Sequence, residues 1–220
     1  MIVMAANNSN LLFGYLAGKY EGQVGCMMSP QSGWSRPMWF MRYAIDNGIY
    51  AATQTGKDWP EAEFMKMLDK AKDSGQDPVF IVVPDVLYDR AATLRRFDEY
   101  APRLEQFGFP LAMACQDGMT PRDVPKGVIA FIGGSNQFKA KTWDFAKAGL
   151  RVHVGRVNSL PRLKATHRCG AISCDGSRFF RSGGALVKRT RPMADITPLL
   201  KYLEWTRHET DSQKELFKCH

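Results

Sequence analysis

The chain has 220 residues, 45% of them hydrophobic, and its 30 Lys and Arg outnumber 22 Asp and Glu to give a formal net charge of +8. That length supports one domain with a real core, near the short end of what an eight-unit α/β barrel requires. No run of about 18 apolar residues occurs and the opening MIVMAANN lacks a basic n-region and a long h-region, so neither a membrane span nor a signal peptide is expected, and the predicted setting is soluble and cytoplasmic.

Short apolar runs alternate with helix-period segments, the pattern of repeated βα units on a parallel sheet. Eight strands are predicted at 2–6, 24–29, 43–46, 79–83, 111–115, 128–132, 151–155 and 171–174, most of them continuously apolar, as buried parallel strands are. Helices are predicted between and after them at 61–74, 89–106, 142–148, 160–166 and 196–207. In the first, Phe64, Met67, Leu68 and Ala71 share a face; in the second, Leu94, Phe97, Ala101 and Leu104 do, with Asp89 as N-cap. The expected architecture is a single compact (β/α)₈ barrel over 1–208 followed by a frayed tail at 209–220.

The five cysteines (Cys26, Cys115, Cys169, Cys174 and Cys219) are odd in number and scattered, with no C-x-x-C pair. This argues for reduced thiols rather than a disulfide framework or a zinc knuckle. His153, His167, His208 and His220 have no ligand spacing with them, so no metal is expected. The excess of basic residues, clustered after Lys139, and a pI near 9.3 favour a polyanionic partner.

Several predicted strands end in polar or glycine residues: Asp46-Asn47-Gly48, Pro84-Asp85, Gln116-Asp117-Gly118, Gly133-Gly134 and Asp175-Gly176. Taken singly these are ordinary turn formers. In a barrel, all five converge on one mouth and bring four carboxylates and a glutamine together. Asp175 is placed to act as a carboxylate nucleophile at a sugar carbon, and Asp46 to exchange protons with a leaving or entering base. Asp85 and Gln116 carry the donors and acceptors that read a purine edge, and Gly133 and Gly134 let backbone N–H groups approach a ligand.

From Asp46 to Gly183 the chain resembles the tRNA-guanine transglycosylase superfamily, in particular the short enzymes that insert 7-deazaguanines into phage or bacterial DNA. Ile45-Asp46-Asn47-Gly48 is similar to the family's D-S-G-G segment, Val83-Pro84-Asp85 and Ala114-Cys115-Gln116-Asp117-Gly118 to its base-reading segments, and Ile132-Gly133-Gly134 to its glycine pair. Val154-Gly155-Arg156-Val157 resembles its M-G-x-G strand, Cys174-Asp175 its F-D-C segment, and Arg181-Ser182-Gly183 its R-S-G segment.

The resemblance implies Asp175 as nucleophile, Asp46 as general acid/base, and Asp85, Gln116, Gly133 and Gly134 as base-binding residues. It implies exchange of guanine for a free 7-deazaguanine, such as 7-cyano-7-deazaguanine, with no cofactor. Arg156 and Arg181 are expected on a basic rim that holds phosphates. Three departures matter: Ile49 replaces the second glycine of D-S-G-G, the cysteine and histidine zinc site that follows the barrel in tRNA-acting members is absent, and the chain is far shorter. Loss of the zinc region shifts the expected partner from tRNA to DNA, with tRNA exchange and simple base removal as alternatives. A partner protein for target specificity, and the host cytoplasm if the gene is a phage's, complete the expectation.

Overall fold

The structure is a computed structural model, which describes residues 1–6, 11–179 and 196–218. Eight parallel strands follow one another around a closed barrel: β1 (Ile2–Ala6), β2 (Val24–Met28), β3 (Arg42–Ile45), β4 (Ile81–Val83), β5 (Leu111–Cys115), β6 (Ile129–Ile132), β7 (Val152–Val154) and β8 (Ser173–Gly176). The ring closes where β8 pairs with β1, Ser173 beside Ile2 and Asp175 beside Met4.

Around it lie α1 (Leu11–Lys19), α2 (Ile49–Gln54), α3 (Glu61–Asp73), α4 (Arg90–Glu105), α5 (Asn136–Lys139), α6 (Thr142–Lys147), α7 (Leu160–Arg168) and α8 (Thr197–Lys218). The β2–β3 and β5–β6 connections carry only short 3-10 turns, Pro30–Ser32 and Pro121–Asp123. Omitting a full helix at two crossovers is how so short a chain completes the ring.

Strand alternation splits the core into two layers. Side chains such as Val3, Val24, Ile45, Ile81 and Val154 face outward and pack with Phe64, Leu68, Leu104, Leu163 and Leu203 from the helices. Met4, Met27, Ala44, Phe80, Val82, Ala112, Ala114 and Ile129 fill the barrel itself. Each fully buried Phe or Leu contributes about 1.5–3 kcal/mol of transfer free energy, so the outer layer is the larger source of stability. Gly25 is required inside this wall, because a Cβ there would stand 2.6 Å from the Arg42 carbonyl oxygen.

The expected faces of α3 and α4 are buried as predicted, except that Leu94 is only partly covered. Asp89 caps α4, its Oδ1 accepting from the Ala92 N–H at 2.9 Å. Cys26, Cys115, Cys169 and Cys174 are free thiols, and Cys219 lies outside the described residues. The last helix continues to Lys218, so residues 209–218, expected as a frayed tail, extend α8. Among the described residues no helix is long and apolar enough to cross a membrane.

Candidate active site

A cavity of about 460 Å³ opens at the carboxyl ends of the strands, within the range of small-ligand clefts, roughly 300–1,000 Å³. Its wall includes Asp46, Asp85, Gln116, Gly133, Gly134, Arg156 and Asp175, seven of the eight residues singled out in the sequence. The eighth, Arg181, lies outside the described residues. They converge because β3, β4, β5, β6, β7 and β8 all end at this mouth.

Asp46 follows β3, where its N–H donates to the Met28 carbonyl at 2.7 Å. The next residue, Asn47, is buried and fastens two strand ends together. Its Nδ2 donates to the Val83 carbonyl at 3.0 Å and to Asp85 Oδ1 at 2.9 Å, while its Oδ1 accepts from the Ile49 N–H at 2.9 Å. Gly48 supplies the left-handed turn, φ 80°, that starts α2. Ile49, the departure from the D-S-G-G pattern, is buried at the start of α2 and does not line the cavity. Burial raises the Asp46 carboxyl to about 7, and the negative charges of Asp175 and Asp85 push in the same direction.

Asp85 and Gln116 are bonded to each other, Gln116 Nε2 donating to Asp85 Oδ2 at 2.6 Å. Gln116 Oε1 accepts from the Tyr88 N–H at 3.0 Å, and Tyr88 holds the left-handed φ of 61° that this contact accompanies. A carboxylate oxygen has two lone pairs and the amide a second N–H, so both residues keep capacity to meet a ligand in the cavity. Burial raises Asp85 to about 6, against the lowering effect of the Asn47 and Gln116 hydrogen bonds. The fourth strand-end carboxylate, Asp117, has a structural task. It accepts from the Ser135 N–H at 2.8 Å and from the Ser135 hydroxyl at 2.5 Å, and so ties the β5 end to α5.

Asp175 extends from β8 with both oxygens engaged. Oδ1 meets His153 Nε2 at 3.1 Å and Oδ2 lies 3.3 Å from the Arg156 N–H. Arg156 adopts φ 59°, which aims its backbone N–H at the carboxylate. Its guanidinium stands 4.9 Å from the Tyr50 ring centroid and donates to the Gly134 carbonyl. The structure places Arg156 in the wall of the cavity at the barrel mouth. Behind it, Lys139 Nζ donates to the Gly155 carbonyl at 2.5 Å. Burial lowers this ammonium to about 8, helped by the Arg156 charge and opposed by Asp175.

Gly134 sits at φ 55°, and a Cβ there would lie 2.6 Å from Asp117 Oδ2. Gly134→Ala should therefore destabilise the fold by about 1–3 kcal/mol through strain and a displaced Asp117. Urea unfolding measures this; a change below about 0.5 kcal/mol would show that the loop relaxes freely.

His153, Asn47, Tyr50 and Tyr88 were not singled out as site residues from sequence. One signal was available for His153. In Val152-His153-Val154 it is the polar residue at the position whose alternation points into the barrel.

No protein-family model matches the chain, and no curated protein matches it. Solved structures do. One described as a native KDPGal structure shares 13% identity, covers 96% of this chain and 95% of its own, and superposes with a TM-score of 0.51. A flavocytochrome b2 variant, also 13% identical, covers 80% of this chain and 56% of its own with a TM-score of 0.47. At this identity the first likeness speaks to the fold alone. The chain is a TIM barrel.

Proposed function

We propose that the protein exchanges guanine in DNA for a free 7-deazaguanine through a covalent aspartyl-nucleotide intermediate. The observation that carries this reading is the meeting of three carboxylates, Asp46, Asp85 and Asp175, with Gln116 in one cavity, where Asp85 and Gln116 are bonded to each other and burial raises the Asp46 carboxyl to about 7. A carboxyl held near neutral pH is suited to exchange protons with a leaving or entering base.

In the proposed reaction an Asp175 oxygen attacks C1′ of the target nucleotide. The C1′–N9 bond breaks and its electron pair leaves with guanine, which takes a proton from neutral Asp46. The incoming 7-deazaguanine returns a proton to Asp46, its nitrogen attacks C1′, and the ester bond breaks to restore the Asp175 carboxylate. Asp85 and Gln116 read the base edge, and the backbone at Gly133 and Gly134 lies against it. The base must leave its stack to reach this cavity.

Purified protein mixed with guanine-labelled duplex DNA or unmodified tRNA, plus 7-cyano-7-deazaguanine, tests the reading. Label lost from DNA with uptake of the deazaguanine supports it. Uptake into tRNA alone replaces DNA by tRNA as substrate, and base release without uptake makes the enzyme an N-glycosidase. Arg156→Glu should weaken DNA binding and lower the slope of log affinity against log salt by about one; an unchanged slope in a salt titration would remove Arg156 from phosphate binding.

A further inference from the structure

His153 is wholly buried on β7, an ionisable ring set among the apolar side chains that fill most of the barrel. It stacks on Phe131, ring centroids 4.5 Å apart, and meets Phe80 edge-on at 5.0 Å. Its two nitrogens find partners on the neighbouring strand. Nδ1 is 2.8 Å from Ser173 Oγ and Nε2 is 3.1 Å from Asp175 Oδ1. Ser173 and Asp175 are two apart on β8, so both side chains fall on the inner face, and His153 pairs with Ser173 in the β7–β8 register.

A carboxylate only accepts, so in this pair Nε2 carries the proton and donates to Asp175. Ser173 engages the opposite nitrogen and fixes the rotation of the ring, as second partners of functional histidines do. With Oδ1 held by His153 and Oδ2 facing the Arg156 N–H, the carboxylate plane is fixed at both oxygens. Gly155 completes the clamp: a Cβ there would stand 3.0 Å from Phe131 and 3.3 Å from Asp175 Oδ1, so a side chain would crowd both.

We infer that His153 is a positioning residue for the Asp175 carboxylate, oriented by Ser173 and held between Phe80 and Phe131. The inference rests on the proposed role of Asp175 as nucleophile. When C1′ is attacked, one carboxylate oxygen forms the ester while the other becomes its carbonyl oxygen. When the ester breaks, the negative charge returns to the carboxylate. A donor fixed on Oδ1 holds the attacking group in line and meets that returning charge.

Two measurements on the full-length protein test this. Nitrogen-15 NMR of the imidazole reports the pair without any need for turnover. The expected result is a proton on Nε2 whose signal moves in Asp175→Ala; a proton on Nδ1 alone, or a signal indifferent to Asp175→Ala, overturns the pairing. In the exchange assay, His153→Leu keeps the apolar packing but removes the donor, whereas His153→Gln places an amide N–H near the Nε2 position. The expected loss is about 100-fold in kcat for Leu with KM for the deazaguanine unchanged, and recovery of at least about tenfold for Gln. Wild-type kcat in a His153→Leu protein that melts as a folded domain overturns the role, as does equal loss in both variants. If the wild type exchanges no base at all, the functional reading fails on its own, and the NMR result still decides whether the pair exists.

Discussion

Asp175→Ala should lose guanine exchange by about 10⁴-fold or more, because in the proposed reaction Asp175 is the nucleophile and its removal eliminates the covalent route rather than slowing it. Wild-type protein incubated with an oligonucleotide and no incoming base should yield a protein–DNA adduct on a denaturing gel, and the variant should yield none. The substitution also strands the Nε2–H of buried His153, at a cost of about 1–3 kcal/mol for an unsatisfied buried donor. Asp175→Asn keeps an oxygen able to accept from His153. It should therefore stay closer to wild-type stability while remaining as inactive as the alanine variant. Exchange by Asp175→Ala within tenfold of wild type would remove Asp175 as nucleophile and with it the covalent mechanism.

Asp46→Asn has two expected effects, both following from the same raised proton affinity. Burial and the neighbouring charges of Asp175 and Asp85 raise this carboxyl from 3.8 to about 7, so the native state holds its proton more tightly than the unfolded chain does. The stability this carries is complete below about pH 4 and is lost as pH rises through about 7, since the charged form is the one the cavity disfavours. Between pH 5 and pH 8 wild type should lose about 2–3 kcal/mol that the asparagine variant keeps. Urea unfolding at the two pH values reads the difference.

In the proposed reaction neutral Asp46 protonates the departing guanine, so single-turnover guanine release should fall above about pH 7 in wild type. The variant should be slower by about 10²–10⁴-fold and lack that limb. Identical pH profiles in the two proteins would take the acid/base role away from Asp46.

Much of this arrangement is legible in the chain because buried parallel strands leave continuous apolar runs. Residues 2–6 and 111–115 were predicted to their ends, and the other six strands are displaced by one or two residues at one end or both. The last strand was placed too early because Asp175 and Gly176 read as a turn, whereas Asp175 is paired beside Met4 within β8. The helices missed are those without an amphipathic signature. The α1 sequence Leu11–Lys19 is apolar nearly throughout and interrupted by Gly14 and Gly18, while α2 and α5 are too short to show a period.

In the site, the strand-end residues were visible because their chemistry stands out after apolar runs. What sequence could not supply was the division of labour among them. Asp117 and Asp85 follow strands in the same way, yet one holds Ser135, the N-cap of α5, and the other lines the cavity. Nor could spacing reveal that His153 reaches Asp175, because that contact depends on the register between β7 and β8.

The closure of β8 on β1 also bears on how the protein is made. A growing chain that has emerged only through β7 carries two open sheet edges, at β1 and at β7, lined with unpaired backbone groups. Its last strand must join a partner some 170 positions back, a contact that is slow to form and exposes apolar surface meanwhile. Because Asp175 lies on that strand, a truncated product ending before β8 exposes open edges and also lacks the proposed nucleophile. Damage from premature termination therefore falls on solubility rather than on stray chemistry at the site.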